Sequence, residues 1–190
     1  DNMLGLGSGA GVIFGNSGGV TEAAVRTAYH SITGEDPTKE LLNFEPVRGL
    51  DGVKEASITI GEVNLKLAVV QGTANARTLI EKIKNNEVNY DFIEVMACKG
   101  GCIGGGGQPK TTKVINDKIR LSRIEGLYNK DQKLKIKCSY QNPDIIAVYN
   151  EFYKEPLSHL AHELLHTTYS SKKHMLGLDN NEEISSDEII

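Results

Sequence analysis

The chain has no long hydrophobic run, no basic excess and no paired set of cysteines. Each absence excludes a class of protein. No apolar stretch reaches the roughly 20 residues that a membrane-spanning helix needs. No charged n-region followed by an apolar h-region opens the chain, so no secretory leader is read there. A formal charge of −4 gives no reason to expect nucleic acid as a partner. Three cysteines, an odd number, fit no closed disulfide framework. The glycine-rich opening over residues 5–19 contains neither G-x-G-x-x-G nor a G-K-[ST] ending, so it does not read as a phosphate loop. The chain starts with Asp1 rather than Met, and the expectation is a piece of something longer.

What is present is ordinary in bulk: 39% hydrophobic and 24% charged residues in 190, enough to bury a real core as one soluble domain. The unusual segment is Glu94-Val95-Met96-Ala97-Cys98-Lys99-Gly100-Gly101-Cys102-Ile103-Gly104-Gly105-Gly106-Gly107-Gln108-Pro109. Thiolates are the usual ligands of iron–sulfur clusters. Glycine lets a backbone come close to a bulky inorganic core because it has no Cβ. The segment reads as a cluster cradle in a reducing compartment. Cys138, alone in its surroundings, reads as a packed or surface thiol.

The rest of the chain gives an α/β pattern. Val12-Ile13-Phe14 reads as a strand or buried loop. Residues 18–30 read as a helix with a small-residue stripe of Val20, Ala23, Ala24, Thr27 and Ala28, and with Glu22 and Arg26 paired at i,i+4. Residues 56–60 and 64–70 read as strands turned at Gly61-Glu62, residues 72–86 as a helix and residues 90–96 as a strand. Strand, helix, strand implies a right-handed crossover and a parallel-type sheet flanked by helices. That places the cysteine loop at a strand's carboxyl end, where open α/β sheets carry ligands. The C-terminal part reads as helical: residues 113–131, a helix opened by Asn142-Pro143, and a last one starting near Pro156. A polar, flexible tail is expected over residues 170–190.

The cysteine segment resembles the C-terminal signature of the iron-only (di-iron) hydrogenases, E-V-M-A-C-P-G-G-C followed by G-G-G-Q-P, with Lys99 in the usual place of proline. Ser8-Gly9-Ala10-Gly11-Val12-Ile13-Phe14-Gly15, Gly18-Gly19-Val20, Glu22-Ala23-Ala24, Val47-Arg48-Gly49 and His162-Glu163-Leu164-Leu165-His166-Thr167 are similar to that family too, while Thr21 departs from its usual Met. The resemblance covers residues 1 to about 169. It implies one lobe, the C-terminal half, of a hydrogenase catalytic domain, acting in reversible interconversion of dihydrogen with protons and electrons.

The resemblance implies Cys98 as a ligand of a 4Fe–4S cubane and Cys102 as a ligand shared between the cubane and a di-iron unit, together the H-cluster. Met96 would pack on the di-iron side, and amides near Gly100 and Gly101 would donate to cluster sulfur. A cubane takes about four protein thiolates; in the family the others come from upstream T-S-C-C-P and M-P-C stretches, neither of which occurs here. The implied partners are therefore the N-terminal half of the domain and an electron carrier such as ferredoxin or a NAD(P)-linked subunit, in the cytoplasm of an anaerobe. No catalytic residue is assigned within this chain, and alone it is expected to be inactive.

Two other readings come from different classes. The prelamin-recognition-like proteins of iron–sulfur assembly share the ancestry and hold clusters without splitting hydrogen. His162-Glu163-Leu164-Leu165-His166 also matches the H-E-x-x-H zinc pattern, two imidazoles on one helix face with a glutamate base. No metzincin-type extension follows, and the later ligand candidates, His174, Glu182, Glu183 and Glu188, lie in the polar tail. The same helix offers an apolar face of Leu157, Leu160, Ala161, Leu164 and Leu165, with His159, His162 and His166 on the other side.

Overall fold

The structure, a computed structural model, describes residues 5–109, 116–170 and Met175. Strands β1 (Val53–Ile60), β2 (Val63–Gln71) and β3 (Phe92–Met96) form a sheet in the order β1-β2-β3. β1 and β2 are an antiparallel hairpin, with Val53 opposite Val70 and Ile60 opposite Val63. Gly61 closes it at φ 60°, a conformation that short hairpin turns require. β2 pairs parallel with β3, from Leu67 opposite Phe92 to Gln71 opposite Met96. The expected strand–helix–strand crossover is therefore present, through helix α3 (Thr73–Lys84). The sheet as a whole is mixed, because a two-residue link between β1 and β2 permits only antiparallel pairing.

Residues 67–71 of β2 are all buried, as a central strand covered on both faces must be. Four earlier elements are the short helix α1 (Gly9–Ile13), helix α2 (Gly19–Thr33) and two 3-10 turns at Leu41–Asn43 and Glu45–Val47. Val25 of α2 packs with Leu41 and Leu67, joined by Tyr29, Phe44, Ala56, Ile58 and Leu65. On the opposite face Ala68 and Val70 meet Leu79 of α3, with Ala76, Ile83, Val88 and Tyr90 around them. A third cluster, Ile13, Ile103, Ile124 and Tyr128, joins α1 to the cysteine loop and to helix α4 (Asp117–Lys133).

Local departures from the sequence reading have identifiable causes. Residues 12–14 are not a strand: Ser8 caps α1, its hydroxyl accepting from Gly11 N at 3.1 Å. The buried face of α2 is Gly19, Thr21, Glu22, Ala23, Val25 and Arg26 rather than the small-residue stripe, because Glu22 and Arg26 find partners inside. α4 starts after Asn116, whose side chain accepts from Ile119 N at 3.1 Å; residues 113–115 of the expected helix lie outside the described residues. Helix α5 (Pro143–Val148) starts where expected.

The chain divides into compact units at residues 1–147 and 148–190. In the second unit the last helix, α6 (His159–Leu165), begins three residues after Pro156. Leu157, at φ 64°, is incompatible with a helix, and Ser158 caps the next turn by accepting from Ala161 N at 3.2 Å. Of its expected apolar face only Ala161 is buried; Leu157, Leu164 and Leu165 are exposed. The expected tail, apart from Ser170 and Met175, lies outside the described residues. No helix among the described residues is long and apolar enough to cross a membrane.

Candidate metal centre

β3 delivers the cysteine loop. Cys98 and Cys102 are both exposed, while Gly100 and Gly101 between them are buried. The turn is closed by Gly101 N donating to Cys98 O at 2.9 Å and Gly104 N donating to Gly101 O at 3.0 Å. Gly100 and Gly101 stand at φ 83° and 87°, where a side chain is strained. A Cβ on Gly101 would also sit 2.7 Å from Ser17 N and 2.9 Å from Met96 Sδ. Their missing side chains thus make room for protein. Their amides are also engaged, Gly100 N with Gln71 Oε1 at 2.6 Å and Gly101 N within the turn. The N–H groups of Cys98, Lys99 and Cys102 meet no acceptor among the described residues and are donors left beside the thiols. Met96 is half-buried at the loop's root, and its carbonyl accepts from Gly72 N at 2.8 Å.

A polar frame holds this loop from behind. Ser17 N donates to Gly100 O at 3.0 Å, and Ile103 N to Gly15 O at 3.0 Å. Glu94, buried one turn of strand before the cysteines, accepts from Gly18 N, Thr21 N and Thr21 Oγ1 at 2.6, 2.8 and 2.8 Å. A carboxylate at a helix N-terminus is stabilised by the unpaired amides and the dipole there, so Glu94 fixes α2 to β3. Lys54 is buried on β1, its ammonium donating to Ser17 O and Gly49 O. Burial lowers its pKa to about 8, against the partial opposition of the Glu94 and Asp51 charges. Neither Lys54 nor Gln71 was singled out by sequence. The signal for Lys54 was available: strand alternation puts it on the inward face with Ala56, Ile58 and Ile60.

Lys99, in the place where the family usually has proline, is ion-paired. Its ammonium is 2.7 Å from Asp117 of α4, which Arg120 also holds at 2.8 Å. These bonds, Lys99's first, hold the Asp117 carboxyl below its ordinary pKa. Arg123 of the same helix donates to Ile103 O at 2.7 Å and Pro109 O at 2.9 Å, clamping both ends of the glycine run. Cys138 is fully buried and its pKa is pushed up by burial, which leaves it an inert packed thiol. On α6, His162 and His166 meet edge-on at 4.3 Å and His159 lies 3.9 Å from Glu163. Among the described residues no three His, Cys, Asp or Glu side chains are placed to hold a metal; His174 and the acidic candidates of the tail lie outside them.

Residues 1–106 match the family described as iron only hydrogenase large subunit, C-terminal domain, and residues 117–172 match iron hydrogenase small subunit. The chain belongs to the iron-only hydrogenase family. It is 44% identical over 175 residues to the NADP-reducing hydrogenase subunit HndD of Solidesulfovibrio fructosivorans, covering 92% of this chain and 29% of that one. A solved FeFe-hydrogenase HydA1 from Chlamydomonas reinhardtii matches with TM-score 0.63 and 40% identity over 89% of this chain and 48% of its own. Protein NAR1 of Arabidopsis thaliana is 32% identical over 83% of this chain and 33% of that protein. The chain thus spans about a third of these curated relatives and about half of the solved hydrogenase. The two matched segments of this hydrogenase-family chain meet in residues 107–116, where the glycine run ends and the charged α4 region begins.

Proposed function

We propose that this chain is the C-terminal lobe of an iron-only hydrogenase, residues 1–169, and supplies half of the thiolate set of its catalytic cluster. The observation that carries the reading is the presentation of Cys98 and Cys102: two exposed cysteines on one turn whose intervening glycines are hydrogen-bonded to Ser17, Gln71 and the turn itself. The donor set suits the group. Thiolates favour iron–sulfur clusters, and the unengaged N–H groups of Lys99 and Cys102 suit sulfur acceptors. Cys98 would hold the 4Fe–4S cubane, Cys102 the junction with the di-iron unit, and Met96 would lie against the latter. When bound, that group supplies the redox chemistry interconverting dihydrogen with protons and electrons. Gly100 and Gly101 serve it by their conformation, closing the turn that carries both cysteines.

Two thiolates are half a set, so the rest comes from outside this chain, from the N-terminal half of the domain. The edge strand β3 supports that partner. Phe92, Ile93 and Val95 are exposed on it, without the lysine or proline that usually guards an open edge. The electron partner is a ferredoxin-like or NAD(P)-linked carrier, and the setting is the reducing cytoplasm of an anaerobe, where open thiols persist. The similarity to NAR1 and the lysine at position 99 favour one second reading, a cluster-holding relative that does not turn over hydrogen.

The test is anaerobic reconstitution of this chain together with the missing half. Iron and sulfide should bind, and Cys98→Ser or Cys102→Ser should lose most of that iron, whereas His162→Ala should keep it. Iron that depends on His162 and not on the cysteines overturns the reading. Infrared bands of bound carbonyl and cyanide, with hydrogen turnover abolished by Cys102→Ala, separate the enzyme from the non-catalytic relative.

A further inference from the structure

We propose that Lys54 and Gln71 are positioning residues for the cysteine loop, Gln71 by fixing the peptides of Gly100 and Lys54 by placing a buried positive charge behind them that raises the reduction potential of the cluster. The inference rests on the hydrogenase-lobe reading. Its basis is a closed set of bonds. Gln71 Oε1 accepts from Gly100 N at 2.6 Å, while its Nε2 donates to Gly49 O and Asp51 O, both at 3.0 Å. Gly49 O also accepts from Lys54 Nζ at 3.1 Å, and Lys54 reaches Ser17 O at 3.2 Å. Ser17 in turn donates its N–H to Gly100 O at 3.0 Å. Both peptides flanking Gly100 are therefore tied to the same ammonium group, one through Ser17 and the other through Gln71 and the Gly49 carbonyl.

A charge is an expensive choice for this task, since a neutral donor satisfies two carbonyls without desolvation. Lys54 is 6% exposed and makes no ion pair within 4 Å among the described residues. Glu94, the buried carboxylate whose charge acts on Lys54, is occupied by three donors of the α2 start. In a low-dielectric wall a charge acts over longer range than in water. A cluster becomes more negative on reduction, so a fixed positive charge favours its reduced form.

The experiment uses this chain assembled with the rest of the catalytic domain and loaded anaerobically. It reads iron per chain and the cubane midpoint potential, titrated by electron paramagnetic resonance. Lys54→Met and Lys54→Gln should both shift the potential to more negative values with iron content unchanged, although Lys54→Gln keeps a hydrogen-bond donor. Lys54→Arg, which keeps the charge, should titrate with the wild type. Gln71→Leu should lower iron content at least about twofold. Wild-type potentials in both neutral Lys54 variants overturn the role of the charge, and full iron in Gln71→Leu overturns that of the amide. Iron-loaded wild type with unmoved variants sinks this inference alone; wild type that takes up no iron sinks the hydrogenase-lobe reading and this inference with it.

Discussion

Burial pushes the Lys54 ammonium down to about 8, and the charges of Glu94 and Asp51 restore only part of that loss. The sign of the consequence follows from linkage. Between pH 8 and the ordinary value of 10.5 the unfolded chain holds a proton that the folded chain has released, so stability rises with pH across that window. Urea unfolding should show the wild type gaining on Lys54→Met by on the order of 2 kcal/mol between about pH 7.5 and pH 10. An equal response in the two proteins refutes a depressed Lys54. At the same scale the glycines of the loop separate into two kinds. Gly101→Ala forces a side chain into a left-handed backbone and against Ser17 N, and should cost about 2–3 kcal/mol. Gly106→Ala and Gly107→Ala meet nothing within 4 Å and should stay within about 0.5 kcal/mol by the same denaturation measurement.

Between elements, α2 and α4 are joined by charge. Arg26, fully buried, lies 2.8 Å from both Glu22 and Asp131, and Arg48 reaches Glu22 at 2.7 Å while stacking on Tyr128 at 3.7 Å. Burial alone would lower the Arg26 pKa, but the hydrogen bond to Asp131 and the charges of Glu22 and Asp131 outweigh it and hold it raised. Arg26→Ala leaves two buried carboxylates short of a partner and should cost about 3–5 kcal/mol. An apolar counterpart is Ile103, which plugs the cysteine loop into the α1–α4 cluster. Ile103→Ala should lose about 2–5 kcal/mol, and its iron binding should fall even where the fold survives. Elements such as these were mostly legible in advance. Two adjacent strands, the α3 crossover and β3 follow from periodicity and glycine turns. α1 was not, because a five-residue helix held by Ser8 has too few residues to show a period.

For the whole molecule the proposed cluster makes the number of available cysteines decisive. Expressed alone, the chain should bind well under one cluster per molecule, and addition of the missing half should raise that toward one, measured as iron and sulfide per chain. A stable, fully occupied cubane on the lone chain contradicts a shared set. The exposed apolar edge of β3 should also make the lone chain self-associate, and Val95→Lys should reduce light scattering without changing its secondary structure.

Residue types and spacing alone determined the cysteine pair, the glycine turn that carries it, most of the strands and helices, and the family, because each depends on a few neighbouring positions. Tertiary structure alone decided which charges go inside. The sequence pairs Glu22 with Arg26 at i,i+4 but names no further partner for either, and it passes over Lys54, two positions before the expected strand. Their partners, Asp131 for Arg26 and the carbonyls of Ser17 and Gly49 for Lys54, lie 37 to 105 positions away except for Gly49. A charge is buried only where distant groups converge to satisfy it, and that convergence is a property of the folded chain, not of any window of sequence.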